Sequence, residues 1–175
     1  MCVCVCEALA VRYEWPVTDS SAAKQQAYAD KMAVVAERFP ADADVQAVYA
    51  EALMCLAPWD LYDKPAGATT PVWYSADKTL NVIGQQVQLA LKQGLSADPA
   101  HVWLGHLHIH LSEMGPVANF DWRVAEVVRG TDARGAGHLL HMPTHLDIQG
   151  VRVCVCVCVC VCVCVCVCVC GCVCM

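Results

Sequence analysis

The chain has 175 residues, with 11 basic and 17 acidic groups for a net charge of −6, and it holds 15 cysteines. With no basic run and no aromatic-plus-basic stripe, this balance excludes a nucleic-acid binder, and the length by itself suggests one domain. The cysteines describe no secreted disulfide framework: three lie in the opening MCVCVC and eleven in the closing run Val153 to Met175, which leaves Cys55 alone between them.

Both ends are a Val-Cys alternation. A GT dinucleotide repeat in DNA reads GTG-TGT, or Val-Cys, and one base change gives the glycine codon of Gly171 or the ATG of Met1 and Met175. The chain therefore divides into a low-complexity head 1–6, a body 7–152 that carries every charged residue, and a low-complexity tail 153–175. The 23 tail residues are apolar enough for a membrane helix. Valine at every second position suits a strand better, and only Arg152 flanks the run, so no span is expected. Cys-x-Cys runs that take soft metals carry polar spacers, which this tail lacks. It reads as an aggregation-prone segment. The start lacks a positive n-region and is too short for a signal peptide, so the expected location is intracellular and cytoplasmic.

Within the body, Glu7 to Val17 has a weak pattern, ended by Trp15-Pro16. Thr18, Asp19 and Ser20 are N-cap candidates for a first helix over 21–38, with Ala27, Tyr28, Met32, Val35 and Ala36 at helical steps, and Pro40 stops it. Asp42 or Asp44 caps a second helix over 43–57, rich in strong helix formers. In it, Cys55 sits in an apolar run as a buried, inert thiol. The stretch 58–73 holds three prolines and a glycine and reads as a loop or insertion. A third helix, opened by Ser75, covers 76–93 with Gly94 just past its end. A fourth starts after Asp98-Pro99, with Asp as cap and Pro at the first turn, and ends at Gly115-Pro116. A fifth covers 117–129, and a sixth covers 136–149 with a bend at Pro143. No credible strand occurs. The expectation is an all-α protein of six helices whose antiparallel hairpins stack as a tetratricopeptide-like solenoid. The second, fourth and sixth helices would be the first helices of successive repeats. The sixth lacks a partner, so the body reads as truncated and 7–152 alone as marginally folded.

Four strings, FPADADVQAVYAEALM, PWDLY, HLHIHLSEM and AGHLLHMPTHLDIQG, resemble a largely uncharacterised family of tetratricopeptide-repeat proteins. The most specific parts are H-x-x-I-H-x-x-E, from His106 to Glu113, and G-H-L-x-H-M-P-x-H, from Gly137 to His145. The resemblance runs from about Arg12 to Gly150. It implies an α-solenoid and brings no known reaction with it.

All seven histidines lie between His101 and Gly150. His106, His110 and Glu113 fall at i, i+4 and i+7, and His138, His141 and His145 at i, i+3 and i+7, so each trio lies along one helix face. In a solenoid the first helices line the concave groove. The two trios then converge on one site, with Glu51 of the second helix as an outer contributor. Imidazoles with a carboxylate suit Zn, Fe, Mn or Ni better than Ca or Mg, and six ligands are enough for two ions. The plainer reading keeps these histidines as hydrogen-bonding groups in a helix seam. His101 and His108 point off the trio's face and are structural or exposed.

Trp59, Asp60 and Tyr62 anchor the insertion against the core, with closure over a ligand as their other reading. Trp103 and Trp122 are core residues. No nucleophile elbow, phosphate loop or dinucleotide fingerprint occurs. The functional expectation is a scaffold that binds a protein or peptide in its groove. Its alternative is a transition-metal-binding protein, or a metal-dependent hydrolase or oxidoreductase, built on the His/Glu cluster.

Overall fold

The computed structural model describes residues 2–13, 21–63, 67, 78–131 and 136–150. The caps proposed at Thr18 to Ser20, the helix opening at Ser75, most of the insertion and the whole tail lie outside these residues. Within them the chain is mostly helical: α1 Cys2–Ala10, α2 Ser21–Arg38, α3 Ala43–Met54, α4 Val82–Ala97, α5 Val102–Glu113, α6 Trp122–Arg129, α7 Gly137–His141 and α8 Pro143–Gln149. A 3-10 turn at Val117–Asn119 precedes α6, and one antiparallel pair joins β1 Tyr62–Asp63 to β2 Thr79–Leu80.

Consecutive helices pack on one another, and α5 also touches α3 on one side and α8 on the other. Three apolar clusters result. Ala8, Tyr28, Met32 and Val45 join α1, α2 and α3. Leu53, Leu61, Val87, Leu91 and Leu104 fill the space between α3, α4 and α5. Ile109, Phe120, Ala125, Met142 and Leu146 hold α5, α6 and α8 together. In α2 the buried positions are Tyr28, Ala29, Met32, Val35 and Ala36, so Ala29 takes the place expected of Ala27. Cys2 to Cys6, read from sequence as low complexity, belong to α1, whose Ala8 is buried against α2. Valine costs a helix only a few tenths of a kcal/mol, which such packing overrides.

Helix caps explain where the boundaries fall. Asp42 Oδ1 accepts the Val45 amide at 3.0 Å and starts α3. The buried Gln46 donates from Nε2 to the carbonyls of Ala36 (3.2 Å) and Phe39 (3.4 Å), satisfying the exit of α2. The third helix was expected from 76, yet Lys78 to Asn81 is not helical: Thr79 and Leu80 pair with the loop after α3, and Asn81 Oδ1 accepts the Gly84 amide at 2.9 Å. At the other end α4 runs through Gly94 to Ala97. A Cβ at Gly94 would stand 2.6 Å from Leu104 Cδ1 and 3.0 Å from Gln46 Cβ, so this glycine marks a close helix approach and not an end.

The start of α5 also differs from the expectation. Asp98 closes α4 and its Oδ1 accepts the Ala100 amide, while His101 caps α5 through Nδ1, accepting from the Leu104 amide at 3.2 Å. His101 Nε2 lies 3.0 Å from Asp44 Oδ1, which holds the ring in place. The fifth helix begins at Trp122, later than expected, because Asp121 Oδ1 takes the amides of Arg123 and Val124. The sixth is interrupted at Met142, where Pro143 cannot donate to the preceding turn. Arg129 Nη2 and the fully buried Asp147 Oδ2, 2.8 Å apart, then tie α6 to α8.

Candidate metal centre

On α5, His106 and His110 are one turn apart, with ring centroids 4.7 Å from each other. The packing of α8 and α7 against α5 and α6 carries the second trio up to them. His138 Nε2 stands 3.2 Å from His106 Nε2, and ligand nitrogens of His106, His110 and His138 all lie within 4.8 Å of one another. Two ligands about 2.0–2.1 Å from one tetrahedral ion are about 3.3 Å apart, so the His106–His138 spacing already suits a shared ion.

Behind the three imidazoles lies Glu113, 7% exposed. Its Oε1 is 2.6 Å from His110 Nδ1 and its Oε2 is 2.5 Å from His145 Nδ1. Burial alone would push this carboxyl up, but the hydrogen bonds from His110 and His145 outweigh it and hold the pKa down at about 2. An ionised carboxylate only accepts, so His110 Nδ1 carries a proton and, in the neutral ring, Nε2 keeps its lone pair. Carboxylates support metal-bound histidines in this way, by fixing tautomer and ring direction. His145 Nε2 in turn lies 2.9 Å from Nε2 of the exposed His141. Glu113 favours the charged form of His145, raising its pKa. Burial, with His145 and His138 nearby, lowers that of His141.

His106 is the most enclosed of the histidines, 5% exposed, and its Nδ1 is buried with no hydrogen-bond partner among the described residues. Burial, then the neighbouring His110 and His138, lower its pKa to about 4. The folded value thus lies below the ordinary 6.5, so the unfolded chain binds the extra proton first. Stability of the metal-free chain should fall as pH drops from about 6.5 to about 4. His145, whose pKa is raised, acts in the opposite direction. Urea denaturation across this window should show a flatter profile for His106→Gln than for the parent; equal slopes would contradict the burial of a neutral imidazole.

The structure therefore brings together all six residues expected from the sequence. His106, His110 and His138 form the group with converging nitrogens, Glu113 holds His110 and His145, and His141 follows beyond His145. Glu51 does not join them; it lies beside Tyr28, whose hydroxyl it helps keep protonated after burial. His108 faces elsewhere, with Ser112 Oγ 3.2 Å from its Nδ1. The half-buried Cys55 meets Arg12 Nη2 at 3.8 Å.

Two tryptophans expected in the core are found at the cluster. Trp103 is 40% exposed with its ring edge-on to His106 at 4.7 Å, and Trp59 is 61% exposed and edge-on to His110 at 6.0 Å. Of the three residues expected to anchor the insertion, Tyr62 is buried, with Leu61 beside it, while Trp59 and Asp60 are exposed. Trp122 packs as expected, against Phe120 and over Gly150. The aromatic loop PWDLY was the available signal for Trp59, since closure over a ligand was one of its two readings.

Among protein-family models, curated proteins and solved structures, none matches this chain. Among the described residues no helix is long and apolar enough to cross a membrane.

Proposed function

We propose that this protein binds a transition-metal ion, Zn, Fe, Mn or Ni, through His106, His110 and His138. Glu113 orients His110, and His145 and His141 complete the polar edge. The observation that carries this reading is the convergence of three ligand nitrogens within 4.8 Å over a buried carboxylate. Imidazole nitrogens suit these ions, whereas Ca and Mg prefer oxygen shells. Three protein ligands leave a fourth position open, the pattern of catalytic sites, where bound water reaches a pKa near 7. Hydrolytic or redox chemistry of that kind is the enzymatic form of the proposal.

The test is a zinc titration of the full chain with its thiols alkylated, so that the Val-Cys ends take no metal. Glu113→Gln should weaken binding by about 10–100-fold, since the amide cannot hold both imidazoles as a carboxylate does. Unchanged affinity in that variant would remove Glu113 from the site.

A second reading, the repeat scaffold that takes a peptide in its groove, is supported by the packing order. Consecutive helices touch, and α3, α5 and α8 touch in series, as the first helices of stacked hairpins do. In that reading the histidines are groove-lining groups.

A further inference from the structure

Between the loop that follows α3 and the end of α5 lies a pocket of about 170 Å³. Among the described residues, Met54, Ala57, Pro58, Trp59, Leu61 and Met114 line it, and His110 is the one ionisable side chain on its wall. The pocket thus opens beside a member of the metal-ligand group while offering a ligand almost nothing but apolar surface.

Trp59 forms one side of this pocket. Burial does not hold it there, because it is 61% exposed. Its backbone has φ 62°, the left-handed region that bulky residues avoid. Strain of this kind persists where the surrounding structure imposes it, and it gathers at ligand clamps and active sites. The conformation leaves the indole edge-on to His110, at an interplanar angle of 88°.

Size and chemistry narrow the occupant. An apolar cavity of about 150 Å³ accepts benzene, so this pocket takes one six-membered ring or a branched alkyl group of similar bulk. Such a group gains by leaving water and needs no hydrogen bond from the wall. Orientation must come from a polar group nearby, as it does in most small-molecule sites. His110, shared by the pocket wall and the group of converging nitrogens, places an ion held by His106, His110 and His138 next to the pocket as that anchor.

We propose that the pocket receives the apolar end of a small ligand whose polar head, a carboxylate or hydroxamate, coordinates the ion. The proposal rests on the metal reading above and adds a ligand class to it: aryl or short branched-alkyl acids and their analogues.

The experiment uses the full chain with alkylated thiols, loaded with Zn²⁺ and titrated calorimetrically with acetohydroxamate and with benzohydroxamate. Both probes present the same head, and only the second has a ring. Benzohydroxamate should bind about tenfold or more tightly than acetohydroxamate. Trp59→Ala, which removes one wall, and Ala57→Leu, which fills the pocket, should each bring the ratio below about threefold. Zinc stoichiometry should be unchanged in both.

Equal affinities on the zinc-loaded parent overturn the pocket and leave the metal site standing. A ratio kept in both variants also overturns it. A chain that holds no zinc at all overturns both proposals together.

Discussion

Replacing His110 by alanine is expected to weaken zinc binding to the thiol-alkylated full chain by more than about 100-fold. Loss of a supporting partner costs about 10–100-fold, and His110 is one of three direct ligands in the proposed site. The substitution also removes the imidazole through which Glu113 Oε1 reaches the cluster, 2.6 Å away. His110 borders a pocket, and Glu113 keeps its hydrogen bond from His145 in the variant. Helix content by circular dichroism should therefore stay that of the parent.

His141→Ala is the matched control. His141 is exposed and lies outside the three proposed ligands, with its Nε2 2.9 Å from His145 Nε2, so its loss should cost less than about tenfold. Equal losses in the two variants would contradict a site confined to His106, His110 and His138.

The second large effect is on folding. Asp147→Ala should destabilise the chain by about 3–5 kcal/mol, the usual consequence of breaking a buried pair by removing one partner. Asp147 is fully buried, and its Oδ2 holds Arg129 Nη2 at 2.8 Å, with the Arg129 side chain 17% exposed. The alanine variant leaves that guanidinium enclosed with Glu126, half exposed and 3.3 Å from Nε, as its remaining carboxylate. Since the pair ties α6 to α8, the second histidine trio should lose its placement and the variant its metal. The double change Arg129→Met with Asp147→Leu should recover most of the stability, because apolar groups of similar volume replace a buried pair at little cost. Urea denaturation of parent, single and double variants measures this. A single variant as stable as the parent would show that the pair does not hold the two helices together.

Much of the helical layout was legible in the sequence because it is local. The steps Tyr28, Met32, Val35 and the Asp42 cap mark α2 and α3 within the segments that form them. What was illegible depends on distant partners. The opening of α4 moves to Val82 because Leu80 pairs with Tyr62 and Asn81 caps the turn. No local pattern before Val82 contains that information. His101 replaces Asp98 as the cap of α5 since Asp44, on another helix, steadies its ring. Gly94 resembles a helix end in sequence, whereas α3 and α5 crowd it from both sides.

The site divides in the same way. Helical spacing puts each histidine trio on one face, so both halves could be read directly. Their meeting required α8 to pack on α5, which followed from the stacked-hairpin expectation. Glu51 shared that expectation and failed, because its position on α3 takes it to Tyr28. Trp59 was misplaced because an aromatic residue in a loop is most simply buried. Its left-handed backbone, which leaves it exposed beside His110, has no sequence signature in a tryptophan.

The most direct measurement is zinc-edge X-ray absorption on the thiol-alkylated full chain, loaded with one equivalent of Zn²⁺ and passed over a desalting column. A nitrogen and oxygen shell at about 2.0–2.1 Å with imidazole scattering, lost in His110→Ala, is the predicted result. A sulfur shell at about 2.3 Å, or no zinc retained, would contradict the histidine centre.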